Sequence, residues 1–212
     1  SKVLLKPLGD KQVAIIGITL DQMAEIAGPD EDTHFVNAIA TTKRTVTQLN
    51  DAGIEHIIVL SHLGVDQDRV LAAEVDGISL IVGGHSHTLQ GDFSTLGLSN
   101  MPYGERINHT AILHAGKYAE TLGIADVIFD AKGKVINLSG GNYFMLDQQF
   151  ILQASDDVSP QDYINVREQL LTNPLILWDE EDSQVQTRIL QKYRPSLDAL
   201  SNKILAFVPK NL

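Results

Sequence analysis

The sequence has no cysteine, so its 212 residues offer neither disulfides nor thiolate metal ligands. With 43% hydrophobic residues the chain buries a core large enough to stand without crosslinks, and the missing thiols do not fix a redox compartment. Basic residues are also scarce. Sixteen lysines and arginines against 27 acidic residues give a formal charge of -11, so the average surface repels duplex nucleic acid. A small phosphate ester remains an acceptable ligand where cations supply a local positive field. No apolar run reaches the roughly 18–20 residues that span a bilayer, so no transmembrane segment is predicted, and the start of the chain lacks the apolar stretch of a signal peptide. Neither GxGxxG nor GxxxxGK[ST] occurs, which removes the Rossmann and P-loop devices for holding nucleotides.

Two segments stand out: Ile57-Ile58-Val59-Leu60-Ser61-His62-Leu63-Gly64 and Ile78-Ser79-Leu80-Ile81-Val82-Gly83-Gly84-His85-Ser86-His87. Each is an apolar run that stops in small residues and histidine, the pattern of a buried parallel strand delivering side chains to a sheet edge. Between them Asp66 to Val75 reads as a helix, with Val70, Leu71 and Val75 as its apolar stripe and Asp66 placed to cap it. The result is a strand, helix, strand unit. Right-handed crossover makes its two strands parallel and adjacent, with both loop ends on the same side.

Around this unit the reading is coarser. Val13 to Thr19 predicts a first strand, Asp21 to Asp32 a loop, and the stretch from Phe35 a helix of about four turns closed by Gly53. Gly91 to Asn108, rich in Gly, Ser, Asn and Pro, predicts a long surface loop bordering the site. Ala111–His114, Thr121–Asp130 and Lys134–Leu138 predict strands, the last two joined by a turn at Ala131-Lys132-Gly133, so antiparallel strands are expected after the parallel part. Further on come a polar loop at Ser155–Gln161, an amphipathic segment at Tyr163–Leu171 and a helical stripe from Ser183 to Leu200 interrupted by Pro195.

His62 and His85 are one strand, helix, strand circuit apart, which brings both to the carboxyl ends of neighbouring strands, where open sheets place their ligands. The two-residue step to His87 lets a third imidazole point to the same place from an extended segment. Gly64, Gly83 and Gly84 keep bulk away from that place. Neutral imidazole suits Zn, Mn, Fe, Co or Ni, so His62, His85 and His87 are the candidate metal ligands. His109 and His114 lack a matched partner and read as ordinary hydrogen-bonding residues, as do His34 and His56. Asp66 and Asp68 read as capping or solvating the following helix, with support of His62 from behind as the alternative. A hydrolase built on Ser61 is disfavoured, because Ser61 and His62 point to opposite faces of a strand and GxSxG is absent.

Ile58 to Gly64, Asp68, the Val75-Asp76-Gly77 step, Ile81-Val82-Gly83-Gly84-His85-Ser86-His87-Thr88 and Ala115 to Gly123 followed by Val127 to Asp130 together resemble the calcineurin-like metallophosphoesterase superfamily. Within it they resemble the 5'-nucleotidase and UDP-sugar hydrolase family, over roughly Val13 to Leu138. The resemblance implies an α/β fold, part of a four-layer α/β/β/α domain with mixed sheets. It implies that residues 1–150 are the later half of the catalytic domain and that 151–212 are its end and a helical linker toward a C-terminal substrate-binding domain. It further implies two divalent metal ions, Zn, Mn, Co or Fe, in the complete site, His62 and His85 on one and His87 on the other.

The family's Gly-Asn-His element and its catalytic histidine have no counterpart here, so no residue of this chain is expected to be catalytic. Three neutral imidazoles cannot hold two mutually repelling cations, and the carboxylates are expected from a missing N-terminal half, supplied by the same protein or by a separate chain. The substrate implied is a nucleoside 5'-monophosphate or a related nucleotide or other small phosphate ester. The alternative is a non-catalytic binding or surface protein on the same scaffold. The resemblance also implies a periplasmic or extracellular location. The glycosylation triplets Asn108-His109-Thr110 and Asn137-Leu138-Ser139 occur at about the chance rate and add nothing to it.

Overall fold

In the computed structural model, which describes residues 3–147, 159–179 and 183–202, the buried β-branched runs form the centre of a mixed sheet. In chain order the elements are β1 (Val3–Leu8), β2 (Lys11–Thr19), α1 (Met23–Ala27), α2 (Ala38–Asp51), β3 (His56–His62), α3 (Val65–Glu74) and β4 (Leu80–Gly83). There follow β5 (Gly91–Asp92), β6 (Asn100–Met101), β7 (Glu105–Ile107), β8 (Thr110–His114), β9 (Thr121–Phe129), β10 (Val135–Asp147), α4 (Pro160–Leu171), β11 (Ile176–Asp179) and α5 (Ser183–Ser201). A six-stranded sheet runs β1-β2-β3-β4-β8-β7, with β2, β3, β4 and β8 parallel and an antiparallel strand at either edge. A second sheet runs β11-β10-β9, and β5 pairs with β6.

The chain forms two units. The first runs to Met145 and takes back Asn173–Leu177; the second comprises Leu146–Thr172 and the chain from Trp178 onward. The boundary read from the sequence, between 150 and 151, lies outside the described residues.

Within the first unit one face of the six-stranded sheet is sealed by helices. Ile16, Ile57, Val59, Ile81 and Ile112 pack with Val46 and Leu49 of α2 and Leu71, Ala72 and Val75 around α3. On the other face Leu80, Ala111 and Leu113 pack with Ala125, Val127, Phe129, Val135 and Leu138 of the second sheet. This gives an α/β fold with mixed sheets, and the first unit contributes an α, a β and a β layer.

The second cover is partial. The register row Leu60, Val82, Leu113 lies on that inner face, and its exposure climbs from 8% at Leu113 to 39% at Val82 and 49% at Leu60. Alternation along a strand is what puts this row opposite the helix-facing row one residue earlier.

Several elements differ from the sequence reading. β1 precedes the first strand read from the sequence, and its Pro7 is tolerated because the outer side of an edge strand needs no N–H. The loop at Asp21–Asp32 contains the short helix α1. α2 begins at Ala38 rather than near Phe35, because Asn37 Oδ1 accepts from the Ala40 N–H at 2.8 Å and Asp21 Oδ1 from the Ala38 N–H at 2.7 Å. β8 is parallel to β4 rather than antiparallel, and the antiparallel pairing begins only with β7, β9 and β10.

Gly91 to Asn108 is not simply a surface loop. Phe93 is fully buried, with its ring edge-on to Phe144 at 5.4 Å, and β7 closes the sheet edge. Arg69 on α3 holds Glu105 of β7 at 2.9 Å, and that carboxylate's hydrogen bond raises the arginine pKa. At the expected Ala131-Lys132-Gly133 turn Asp130 Oδ1 accepts the N–H groups of Lys134 and Lys132, each at 2.9 Å. Those bonds, Lys134's foremost, hold the carboxyl below its ordinary range.

The second unit contains α4, capped by Ser159, whose Oγ accepts from the Asp162 N–H at 3.1 Å, with Pro160 in the first turn. Its Arg167 guanidinium lies over the Trp178 ring at 5.9 Å. The polar loop read at Ser155–Gln161 falls outside the described residues up to 158, and α4 has begun by Pro160. α5 runs unbroken through Pro195, contrary to the interrupted stripe read from the sequence, and Val185, Ile189, Tyr193, Leu197 and Leu200 are exposed along it.

Asn142 of β10 ties the second sheet to the ends of the parallel strands. Its Nδ2 donates to the Gln90 carbonyl at 2.8 Å and the His114 carbonyl at 2.7 Å, and the residue is 2% exposed. Asn142→Ala takes a donor from two buried carbonyls at once. We expect it to lower the unfolding free energy by about 1–3 kcal/mol, read from urea midpoints at unchanged slope.

Candidate metal centre

The parallel strands end in register. Ser61 pairs with Gly83, and Gly83 with His114, so these residues form a row across the carboxyl edges of β3, β4 and β8. Alternation sends Ser61 to the helix side with Ile57 and Val59, and His62 to the opposite face with Ile58 and Leu60. The sheet thus separates two groups of side chains at the same edge.

On the open face the His62 and His85 rings meet, centroids 5.1 Å apart and inclined by 65°. Glycine makes that approach feasible, since a Cβ at Gly84 would stand 3.3 Å from His62 Nδ1. Gly64, at φ +90°, lets the chain leave β3 beside His85, where a Cβ would meet the His85 ring at 3.6 Å. His85 and His87 themselves adopt left-handed backbone, φ 73° and 55°. Such torsions are uncommon for non-glycine residues and store strain of about 1–3 kcal/mol each. Ser86, between them, accepts the Val65 N–H at 3.1 Å and bonds Thr88 Oγ1 at 2.8 Å, tying this loop to the first residue of α3.

The structure therefore brings together two of the three predicted imidazoles. The third, His87, stands against the Tyr118 ring at 5.1 Å, and the Lys117 ammonium lies 5.1 Å over the same ring. Among the described residues three imidazoles do not converge on one point, and His85 and His87, both in left-handed backbone, have different ring neighbours. Two further histidines make contacts elsewhere. His56 Nε2 is 3.1 Å from the Asp130 carbonyl and its ring meets Phe129 edge-on, while His109 contacts Lys134 Nζ at 3.5 Å.

On the helix side lies a buried network that sequence reading missed. Asp68, fully buried in the first turns of α3, accepts a short hydrogen bond from Ser61 Oγ–H at Oδ1 and faces His114 Nε2 across 2.8 Å at Oδ2. A carboxylate offers only lone pairs, which places the proton on Nε2. Ser61 Oγ in turn accepts the Leu63 N–H at 3.1 Å.

Asp68 therefore neither solvates nor caps α3, and His114 is a buried partner rather than an ordinary polar residue. Asp66 does not cap the helix either; its side chain is 88% exposed and pairs with Arg69 at 2.9 Å, while Gly64 occupies the cap position. The signal available in the sequence was the row itself, two polar residues flanking a glycine at the ends of three apolar strands. The set is no nucleophilic relay, because the carboxylate, not the imidazole, receives the serine proton's hydrogen bond.

The donor chemistry fits a divalent cation in part. Two exposed imidazoles at an edge kept open by glycine are suitable neutral ligands. Among the described residues, however, no group of three or more His, Asp or Glu side chains converges on one point, so this pair is part of a coordination sphere rather than a whole one. No described helix is long and apolar enough to cross a membrane.

No family model matches the chain. It is 26% identical over 93% of its length to a probable 5'-nucleotidase of Treponema pallidum (strain Nichols), and 35% identical over 63% of its length to the trifunctional nucleotide phosphoesterase protein YfkN of Bacillus subtilis (strain 168). It spans 36% of the length of the first of these relatives and 8% of the second. Among solved structures it is similar to the NAD nucleotidase NadN of Haemophilus influenzae, with a TM-score of 0.82 and 22% identity over 96% of this chain and 43% of that one. Fold and relatives together fit the calcineurin-like phosphoesterase class. Within that class the chain fits the 5'-nucleotidase family.

Proposed function

We propose that this chain is the later half of a metallophosphoesterase catalytic domain, and that the whole protein hydrolyses nucleoside 5'-monophosphates or related nucleotide phosphate esters. The single observation that carries the reading is the His62–His85 pair, two imidazoles at the carboxyl edge of adjacent parallel strands with glycine on either side. The names of the relatives, a probable 5'-nucleotidase and a nucleotide phosphoesterase, support the substrate class.

A divalent cation at such a site, Zn, Mn, Co or Fe, supplies Lewis acidity to phosphoryl oxygens and lowers the pKa of bound water. This chain's residues contribute neutral donors and their placement. His62 and His85 serve one cation, and His87 is proposed for a second. Two adjacent cations require anionic ligands between them, and the partial exposure of Leu60 and Val82 beside His62 supports the packing there of a covering segment that bears those carboxylates. That segment is the N-terminal half of the domain, in the same protein or in another chain, and α5 leads toward a C-terminal substrate-binding domain. The proposed location is periplasmic or extracellular.

The full-length protein should release phosphate from AMP. Chelation should cut that rate by at least about 100-fold, with recovery on adding Mn2+ or Zn2+. Hydrolysis indifferent to chelation would remove the metal from the reading. A protein that holds about two ions per molecule yet hydrolyses no phosphate ester would leave the binding-protein alternative.

A further inference from the structure

We propose that Asp68 is a positioning residue that sets the orientation of His62 toward its cation, acting through Ser61 and anchored from β8 by His114; this rests on the reading of His62 and His85 as metal donors. Asp68 touches neither imidazole of the pair. Its bonds go instead to the residue before His62 and to the strand two places along the sheet.

Ser61 is the transmitting group. Its hydroxyl donates to Asp68 and accepts from the Leu63 N–H, so the closed hydrogen-bonded turn runs from residue 61 to 63 and encloses His62. A free serine hydroxyl rotates among its staggered positions. With its proton committed to a carboxylate it has one orientation, the one that presents a lone pair to the Leu63 N–H. The peptide on either side of His62 is then fixed from beneath the sheet, and the ring on the upper face inherits that orientation.

Asp68 is fixed in turn. Gly83 lies between Ser61 and His114 in the register row, and a Cβ there would fall well inside van der Waals contact of both Asp68 Oδ2 and His114 Nε2. The missing side chain is the space in which the two partners meet. His114 itself is held by Gln90 Oε1, which accepts its N–H at 3.1 Å, and by Asn142 Nδ2 on its carbonyl.

Stability alone does not account for this arrangement. Burying a carboxylate carries a desolvation cost that an apolar residue of like volume avoids, and such replacements are often neutral or stabilising. What apolar packing cannot provide is a directed hydrogen bond that selects one rotamer of the residue next to a metal donor. Partners one step removed from the metal commonly change its affinity by about 10–100-fold.

The test is a titration of the metal-free full-length protein with Co2+ alone, following the visible absorption of the bound ion, with thermal unfolding in parallel. Asp68→Asn should weaken Co2+ by about 10–100-fold and alter the absorption band, because an amide presents its NH2 to one of the two partners. Ser61→Ala should weaken it by about 10-fold, while Ser61→Thr, which keeps the hydroxyl, stays within about 3-fold. If Asp68→Asn does not fold, the Ser61 pair decides.

Variants that lower the melting temperature but bind Co2+ with unchanged affinity and spectrum would overturn the proposal, since a purely structural brace behaves that way. His62→Ala is the separate control. Unchanged Co2+ binding in that variant would overturn the donor reading itself, whereas weakened binding there beside unaffected Asp68 and Ser61 variants would overturn only the positioning role.

Discussion

Replacing Gly83 by alanine is expected to lower the unfolding free energy by about 2–5 kcal/mol, the sum of overpacking and of a disrupted charge-assisted hydrogen bond. The new methyl group would coincide with the space where Asp68 and His114 meet, and both are fully buried, so neither can retreat into solvent. Backbone cannot yield easily either, because Gly83 is bonded into β3 and β8 on both sides. Gly17→Ala is the matched control: Gly17 lies in β2 of the same sheet, but a Cβ there meets nothing within 4 Å. That variant should stay within about 0.5 kcal/mol of the parent. Urea unfolding of both proteins decides, and a Gly83→Ala protein as stable as Gly17→Ala would show that the row does not have the tightness described.

His85→Gly is expected to separate function from stability. Removing one of the paired imidazoles should weaken divalent metal by about 100-fold or more and reduce phosphate release from AMP at least as much. Folding should be nearly untouched. Left-handed backbone at φ 73° suits glycine, and the relief of strain offsets the greater freedom glycine gives the unfolded chain, leaving a net change within about 1 kcal/mol. Metal titration and urea unfolding on the same preparation measure both. A large loss of stability with metal affinity preserved would assign His85 a structural role and remove it from the site.

Much of this was legible in the linear sequence, for identifiable reasons. The β3–α3–β4 unit was readable because buried parallel strands carry continuous apolar runs, and the meeting of His62 with His85 followed from both runs ending at the same sheet edge. The direction of His87 was not readable, since nothing in Gly-Gly-His-Ser-His announces two left-handed histidines. Asp68 was misread for a different reason. At helix starts acidic residues are usually solvated, and only the three-strand register shows that this one lies over a glycine between two polar partners. Pro195 misled as well, marking a break that the helix absorbs.

The rising exposure from Leu113 through Val82 to Leu60 bears on how such a protein would take up its ion. A segment laid over Leu60 rests two residues from His62 on the same face of the same strand, so docking of that segment and loading of the cation would be thermodynamically linked. By reciprocity, whatever factor the ion adds to the affinity of the two pieces, docking adds to the affinity for the ion. On the proposed reading, starvation for metal would loosen the protein along this seam, and its replenishment would draw the covering segment back onto it.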